Sequence, residues 1–271
     1  MKFDISNTWN DEAHRFVEAH WMQNPYVLID LQTYGFSGDH INSWIVRGEN
    51  GAVYAVLYRY YNGIQVVSDS QYLDQIALPI AQLICKAKPE MVQVPSFLAT
   101  YLKDRLDCYR DSQGFVMTWT NPSPTSMENT QASLASSRDF AEIAELVCSD
   151  SEIGQHYSPQ LLASQLEERV SIQGCRSMVV RRDGRIVAHM STYGESSDLA
   201  VLGGLKTGQG AIKGDGSKVL SALAASVSES GKTPLLYCYI EALWPWYEKQ
   251  GWDKTSPVVK FERCNKTQVN S

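Results

Sequence analysis

The stretch Leu199-Ala-Val-Leu-Gly-Gly-Leu-Lys-Thr-Gly-Gln-Gly-Ala-Ile-Lys-Gly-Asp-Gly-Ser-Lys-Val-Leu220 carries most of the information about the fold. Its start is apolar and runs into glycines, which predicts a strand over Leu199–Leu205. The glycines of residues 206–216 predict a loop. The helix that follows repeats apolar residues at the spacing of one buried face, at Val219, Leu220, Leu223 and Val227. A short apolar strand at residues 234–239 and a helix ending in Tyr247-Glu-Lys-Gln-Gly-Trp252 complete the unit.

The loop has the properties of an anion site. Glycines let backbone N–H groups approach a ligand closely. A helix directly after the loop adds unpaired N–H groups and the positive end of its dipole, an arrangement that suits a pyrophosphate. Lys213 adds a positive charge. The same density of glycines also occurs in ordinary turns, so the loop alone leaves both interpretations open.

Three segments together resemble the coenzyme A site of the GNAT superfamily of N-acetyltransferases. Lys213-Gly-Asp-Gly-Ser-Lys-Val-Leu220 is similar to the end of that family's Arg/Gln-x-x-Gly-x-Gly/Ala loop, with Gly214 and Gly216 at the two small positions. Leu202-Gly-Gly-Leu-Lys-Thr207 resembles the strand before the loop. Tyr247-Glu-Lys-Gln-Gly-Trp252 resembles the family's Tyr-x-x-x-Gly-Phe segment.

The resemblance covers about the last half of the chain and has two departures. Ala211 stands where the family has Arg or Gln, and Ile240 stands where Asn is common. The resemblance implies an acyl-coenzyme A cofactor, in the first place acetyl-coenzyme A. It further implies that backbone groups near Leu205 and Thr207 bind the pantetheine arm, and that the pyrophosphate is held by Lys213, Gly214, Gly216 and Ser217.

The resemblance also implies that Tyr247 acts as the acid that protonates the leaving thiolate. An aromatic residue at this place can equally be core packing. For the general base we favour Glu241 over Glu195 and Asp198, although each can also be a solvated or helix-start carboxylate.

Other candidates have simpler interpretations. His189 lies within a strand pattern, which is typical of a core histidine with satisfied hydrogen bonds. Trp244-Pro-Trp246 could line a substrate site or only pack, and no motif supports Cys238 as a nucleophile.

Composition and net charge argue against several kinds of partner. The chain has 271 residues, 24 Lys and Arg, 30 Asp and Glu, and a net charge of −6. That balance argues against a nucleic-acid partner and is compatible with a small-molecule amine substrate. The sequence has no long apolar run and no signal peptide, so we expect a cytoplasmic protein without a membrane partner. The six scattered cysteines predict free buried thiols and no metal site.

The chain divides into two similar halves. The polar, proline-containing stretch 121–130 is the predicted linker, which gives domains 1–123 and 124–271. Each half runs hairpin, strand, helix, strand, helix, strand, with an offset of about 135 residues between the hairpins. The extra residues of the second half fall in the glycine loop. The first half is therefore interpreted as a degenerate repeat that lacks the coenzyme A loop.

Individual elements support this division. Turns at Asn50-Gly51, Tyr61-Asn62-Gly63 and Asp183-Gly184 predict hairpins. Ser158-Pro159 predicts the start of a helix. Further helices are predicted over residues 12–22 with an Asn10-Asp11 cap, 72–85, 97–106 and 139–148.

These observations predict an α/β fold of two GNAT-like domains, each with a mixed, mostly antiparallel sheet flanked by helices. The predicted function is acyl-coenzyme A-dependent N-acyltransfer to a small-molecule amine, by direct attack in a ternary complex. Two alternatives stay open: a GNAT-fold ligand-sensing or assembly module that has lost catalysis, and an unrelated α/β phosphate-binding protein. A homodimer is one option for its assembly.

Overall fold

The computed structural model describes residues 4–6, 11–120, 131–149 and 158–264. In the first half the elements follow in the order β1 (Asp4–Ser6), α1 (Asp11–His20), α2 (Pro25–Tyr34), β2 (Ile41–Arg47), β3 (Val53–Tyr60), β4 (Gly63–Ser68), α3 (Leu73–Ala87), β5 (Met91–Pro95), α4 (Ser96–Leu102) and β6 (Tyr109–Trp119). The second half repeats that order with β7 (Ala132–Leu134), α5 (Phe140–Cys148), α6 (Pro159–Gln173), β8 (Ser177–Arg182), β9 (Arg185–Glu195), β10 (Leu199–Thr207), α7 (Asp215–Glu229), β11 (Thr233–Cys238), α8 (Trp244–Lys249) and β12 (Trp252–Arg263).

The chain forms two compact units. The first contains the chain up to Val116, the segment Cys238–Glu241 and the chain from Lys254 onwards. The second contains Met117–Tyr237 and Ala242–Asp253. The sequence-based division at residues 121–130 assigned everything from residue 124 onwards to the second domain. The predicted linker itself lies outside the described residues.

In the first unit, β1 to β4 form antiparallel pairs in chain order. Strand β5 joins β4 in parallel through Gly63↔Met91 to Gln65↔Gln93. The C-terminal strand β12 then pairs with β5 from Val258↔Pro95 to Glu262↔Met91. The last strand of the sequence therefore lies between β5 and β6 in the sheet.

The core of the first unit lies between this sheet and α3. The isoleucines Ile76, Ile80 and Ile84, spaced one helical turn apart, are all fully buried against strands β4, β5 and β12. Phe261 of β12 belongs to the same core. This packing ties the C-terminal strand to the first unit by apolar burial as well as by backbone pairing.

In the second unit, β7, β8, β9 and β10 pair antiparallel in chain order, and β11 joins β10 in parallel. Helix α7 packs on β8, β9 and β10. Helix α5 carries Ile143, Ala144 and Val147 into a separate buried cluster with α6. The mixed α/β architecture agrees with the predicted fold class.

The local predictions mostly hold. All three hairpin turns form, and Asp183 and Gly184 adopt positive φ of 49° and 78°, the backbone that such a turn needs. Ser158 caps α6, accepting a hydrogen bond from the Leu161 N–H at 3.2 Å. The predicted cap residue Asn10 lies outside the described residues.

Some boundaries were wrong. Helix α2 was not predicted, and α4 is followed by a 3₁₀ turn, Lys103–Arg105, instead of continuing as a regular helix. The helix before Trp252 ends at Lys249, so Trp252 begins β12. No helix in the described part of the chain has the length and apolar character needed to cross a membrane.

Candidate functional site

Strands β10 and β11 separate at one end. Their parallel pairing runs from Leu199↔Thr233 to Leu202↔Leu236. Strand β10 continues five residues further to Thr207, and β11 continues to Cys238. Strand β11 therefore does not pair with β10 along Gly203–Thr207, the segment that contains the predicted pantetheine-binding residues Leu205 and Thr207.

A β-bulge interrupts the pairing of this segment with β9. Between the pairs Gly203↔Ser191 and Lys206↔His189 the register with β9 shifts, and Gly204 has a positive φ of 67°. The Tyr193 ring covers the two glycines, because a Cβ added at Gly203 would lie 2.8 Å from that ring. A bulge bends its strand and interrupts regular pairing.

The loop delivers backbone donors at the start of α7. Gly214 is the N-cap residue, with φ 101°, a backbone that favours glycine. Within the described part of the chain, no hydrogen bond is formed by the backbone N–H groups of Lys213, Gly214, Gly216 and Ser217. Four such donors at a helix N-terminus fit the oxygen atoms of a pyrophosphate. These are the four residues predicted for that role.

Gly216 lies next to the end of β10. A Cβ at this position would lie 3.4 Å from Thr207 Cγ2, so the helix start packs directly on the end of β10. Lys213 is exposed beside the loop. Ala211, which replaces the family's Arg or Gln, contributes only a backbone hydrogen bond to Gly208.

A buried ion cluster lies under the loop. The Asp215 side chain is fully buried and accepts two hydrogen bonds of 2.8 Å from Arg182. It also accepts hydrogen bonds from Lys218 Nζ at 3.2 Å and from the Ile212 N–H at 2.9 Å. The hydrogen bonds from Arg182 hold the pKa of this carboxyl far below its usual range. Sequence reasoning treated Asp215 only as a variable position of the loop.

Tyr247, the predicted acid, lies in α8 and is buried. Its ring contacts Trp246 edge to face at a centroid distance of 4.8 Å and Trp252 at 6.4 Å. Gly251, with φ 87°, ends the turn after the helix. Trp244 and Trp246 are only half-buried.

The candidate bases differ in their surroundings. Glu241 is exposed, opens the 3₁₀ turn before α8 and belongs to the first unit. Asp198 is exposed and accepts a hydrogen bond from Ser197 Oγ at 2.6 Å. Glu195 is fully buried in an ion cluster with Arg176 and Lys232, each at 2.8 Å. Because two cations already neutralise Glu195, its role is structural.

His189 is fully buried, as predicted, but its hydrogen bonds are incomplete. Nε2 lies 2.7 Å from Ser191 Oγ, whereas Nδ1 has no hydrogen-bond partner among the described residues. Burial lowers its pKa to about 4. The ring is therefore neutral near pH 7.

The cysteines are free, but the expectation that they are buried was wrong for half of them. Cys85, Cys108 and Cys264 are exposed, while Cys175 and Cys238 are buried. Burial raises the pKa of the Cys238 thiol, which makes it a poor nucleophile.

In the first unit the parallel strands β4 and β5 also separate, but side chains of the chain bind the backbone groups there. Pairing of β4 with β5 ends at Gln65↔Gln93, although β4 continues to Ser68. The Gln23 side chain donates to the Ser68 carbonyl and accepts from the Ser68 N–H, both at 2.9 Å. Asn24 Nδ2 donates to the Gln93 carbonyl at 3.4 Å. Side-chain amides of the chain thus occupy the strand edge that corresponds to the end of β10 beyond its pairing with β11.

Solved structures share this fold. A GCN5-related N-acetyltransferase from Sphaerobacter thermophilus matches with a TM-score of 0.64 and 15% identity, covering 96% of this chain and 95% of that one. A GNAT-family acetyltransferase from Colwellia psychrerythraea matches at 0.60 and 12%, covering 97% and 100%. A tandem GNAT protein from the clavulanic acid biosynthesis pathway matches at 0.59 and 11%, covering 96% and 98%.

No protein-family model matches the sequence, and no curated protein does either. At these identities the structural matches establish the fold alone. The chain has a tandem GNAT-like fold, as its sequence predicted.

Proposed function

We propose that this chain, with its tandem GNAT-like fold, is an acyl-coenzyme A-dependent N-acyltransferase whose cofactor site lies in the second unit. One observation carries the proposal: β10 continues beyond its pairing with β11 and leads directly into a loop at the start of α7, where the N–H groups of Lys213, Gly214, Gly216 and Ser217 form no hydrogen bond with any described residue. An extended arm with amide groups, followed by a pyrophosphate, matches this sequence of donors and acceptors. Acetyl-coenzyme A is the first candidate because the GNAT-like fold is shared with acetyltransferases.

The residues of the site have separate tasks in this proposal. Leu205 and Thr207 bind the amides of the pantetheine arm through their backbone groups. Gly214, Gly216 and Ser217 donate N–H groups to the pyrophosphate, and the exposed Lys213 adds charge.

The reaction is a direct transfer. The substrate amine attacks the thioester carbonyl, a C–N bond forms, and the C–S bond breaks. A base accepts the proton that the amine loses, and Tyr247 donates a proton to the leaving thiolate. Holding amine and thioester in contact supplies a large part of the rate, so no acyl-enzyme is needed.

The first unit does not take part in cofactor binding in this proposal. Gln23 occupies both backbone groups of Ser68, and Asn24 occupies the Gln93 carbonyl. A pantetheine arm would have to displace these hydrogen bonds. The proposal therefore assigns one acyl-coenzyme A to each chain.

An assay of thiol release tests the function. The purified chain is incubated with acetyl-coenzyme A and a panel of small primary amines, and free thiol is measured against amine-free controls. Amine-dependent release with stoichiometric N-acetylated product is the expected result. Cofactor binding without release for any amine would contradict the proposed enzyme.

That second outcome would favour a ligand-sensing module. Two observations give this alternative some weight: Ala211 offers no side-chain contact to a pyrophosphate, and Ile240, where the family often has Asn, is 58% exposed. Both positions have lost a polar group that the family commonly has. The assay separates the two functions because a sensor binds the ester without turning it over.

A further inference from the structure

The second unit contains two buried ion clusters of the same design. In one, Asp215 is fully buried and bound by Arg182 and Lys218. In the other, Glu195 is fully buried and bound by Arg176 and Lys232. In each cluster the arginine spans both carboxylate oxygens at 3.0 Å or less. Burying a carboxylate is costly unless it is fully paired, so each cluster constrains the backbone around it.

The clusters differ in what they constrain. Asp215 also accepts the Ile212 N–H at 2.9 Å. The cluster therefore fixes the backbone immediately before and immediately after Lys213 and Gly214, and ties it to the end of β8. Glu195 lies instead at the end of β9, before the turn that leads to Leu199 and the start of β10, away from the loop.

We propose that Asp215, held by Arg182, is a positioning residue that keeps the loop 212–215 in its cofactor-binding shape. The inference rests on the proposed function above. The Asp215 side chain does not bind the cofactor itself in this proposal. Both of its oxygens already accept hydrogen bonds from Arg182, Lys218 and Ile212. It acts through the N–H groups of its neighbours, which could not hold a fixed arrangement if the flanking backbone were free.

The direction of the change in cofactor affinity distinguishes a positioning role of Asp215 from a purely electrostatic one. Replacing Asp215 by Asn removes a negative charge beside an anion site, which by electrostatics alone should strengthen phosphate binding. If Asp215 positions the loop, the same change weakens binding, because Asn cannot hold the guanidinium through two charge-assisted hydrogen bonds. Glu195→Gln is the matched control, since it breaks an equivalent cluster elsewhere in the unit.

The test uses the full-length chain and acetyl-coenzyme A in isothermal titration, with thermal melts of each variant. Asp215→Asn should raise the Kd about tenfold or more, the effect of losing one charge-assisted contact. Glu195→Gln should leave the Kd within about twofold, while both variants lower the Tm. An unchanged or lower Kd for Asp215→Asn, with a Tm loss like that of the control, would overturn the proposal.

Amide hydrogen exchange gives a readout that needs no ligand. Asp215→Asn should speed exchange at the hydrogen-bonded N–H groups of Ile212, Asp215 and Lys218, and Glu195→Gln should not. Unchanged exchange there would refute positioning even if wild type binds acetyl-coenzyme A. Faster exchange with no binding by wild type would instead refute the proposed function. If Asp215→Asn does not fold, Arg182→Lys keeps the charge but loses the two-pronged geometry, and the same two results are expected.

Discussion

At the scale of single residues, Tyr247 is the proposed acid that protonates the leaving thiolate. It is buried, with its ring against Trp246 and Trp252, so its position is fixed by packing. A rigid phenol can deliver a proton at a defined point, as a general acid must. The sequence located this residue by resemblance, and burial alone is equally compatible with a packing role.

Tyr247→Phe separates these roles. If Tyr247 is the acid, turnover should fall about 10²-fold or more while the Kd of acetyl-coenzyme A stays near wild type. The contacts of the ring with Trp246 and Trp252 are retained in this variant. Steady-state kinetics with titration as the control check this, and unchanged turnover would remove Tyr247 as the acid.

His189 predicts a pH dependence of stability. Its pKa is lowered from 6.5 to about 4 in the fold, so the unfolded chain takes up the proton first as the pH falls. The contribution of neutral His189 to the free energy of unfolding is therefore complete above pH 6.5. It is lost as the pH falls through 4, and the total loss is about 3 kcal/mol.

Urea unfolding of wild type and His189→Gln between pH 7 and about 4.5 measures this contribution, because the carboxyl groups of Asp215 and Asp139 have lowered pKa values and titrate below that window. The free energy of unfolding should fall more steeply for wild type than for the variant. Equal slopes would show that His189 does not titrate as described.

At the scale of elements, the proposed cofactor site is one continuous strand–loop–helix segment. The bulge at Gly204, the loop and the cap at Gly214 each require a backbone that glycine adopts easily. Sequence reasoning found these features because they are local: glycine spacing marks a turn, and apolar spacing marks the helix that follows.

Other features could not be found in this way. Helix α2 buries Val27, Leu28, Ile29 and Leu31 in near succession, so it has no apolar stripe of helical period. The Arg182–Asp215 pair spans 33 residues, and the Gln23–Ser68 contact spans 45. No local spacing rule joins partners so far apart. Only the folded chain brings them together.

The variant Gly214→Asp tests whether this segment binds the cofactor. A φ of 101° strains any residue with a Cβ, and the new carboxylate would repel a pyrophosphate. Gly174→Asp is the control, since Gly174 ends α6 with φ 65° and open space around it. Titration should show loss of acetyl-coenzyme A binding for the first variant alone. Equal binding by both variants would remove the loop from the site.

At the scale of the whole molecule, the two units repeat the same order of elements but differ at the place where their parallel strands separate. Both contain a pair of parallel strands that separates, β4 with β5 and β10 with β11. Gln23 and Asn24 close the first separation, and the second leads into the glycine loop. The repeat was visible in the sequence. The pairing of β12 with β5 was not, because a strand pattern carries no information on which neighbour it will take.

The central claim is that the chain binds one acyl-coenzyme A, at the second unit. Isothermal titration of the purified protein with acetyl-coenzyme A tests it most directly, beside a variant carrying Gly214→Asp and Gly216→Asp. The account predicts micromolar binding of one ligand per chain, lost in the variant. Absence of binding to wild type, or two ligands per chain with one retained in the variant, would contradict it.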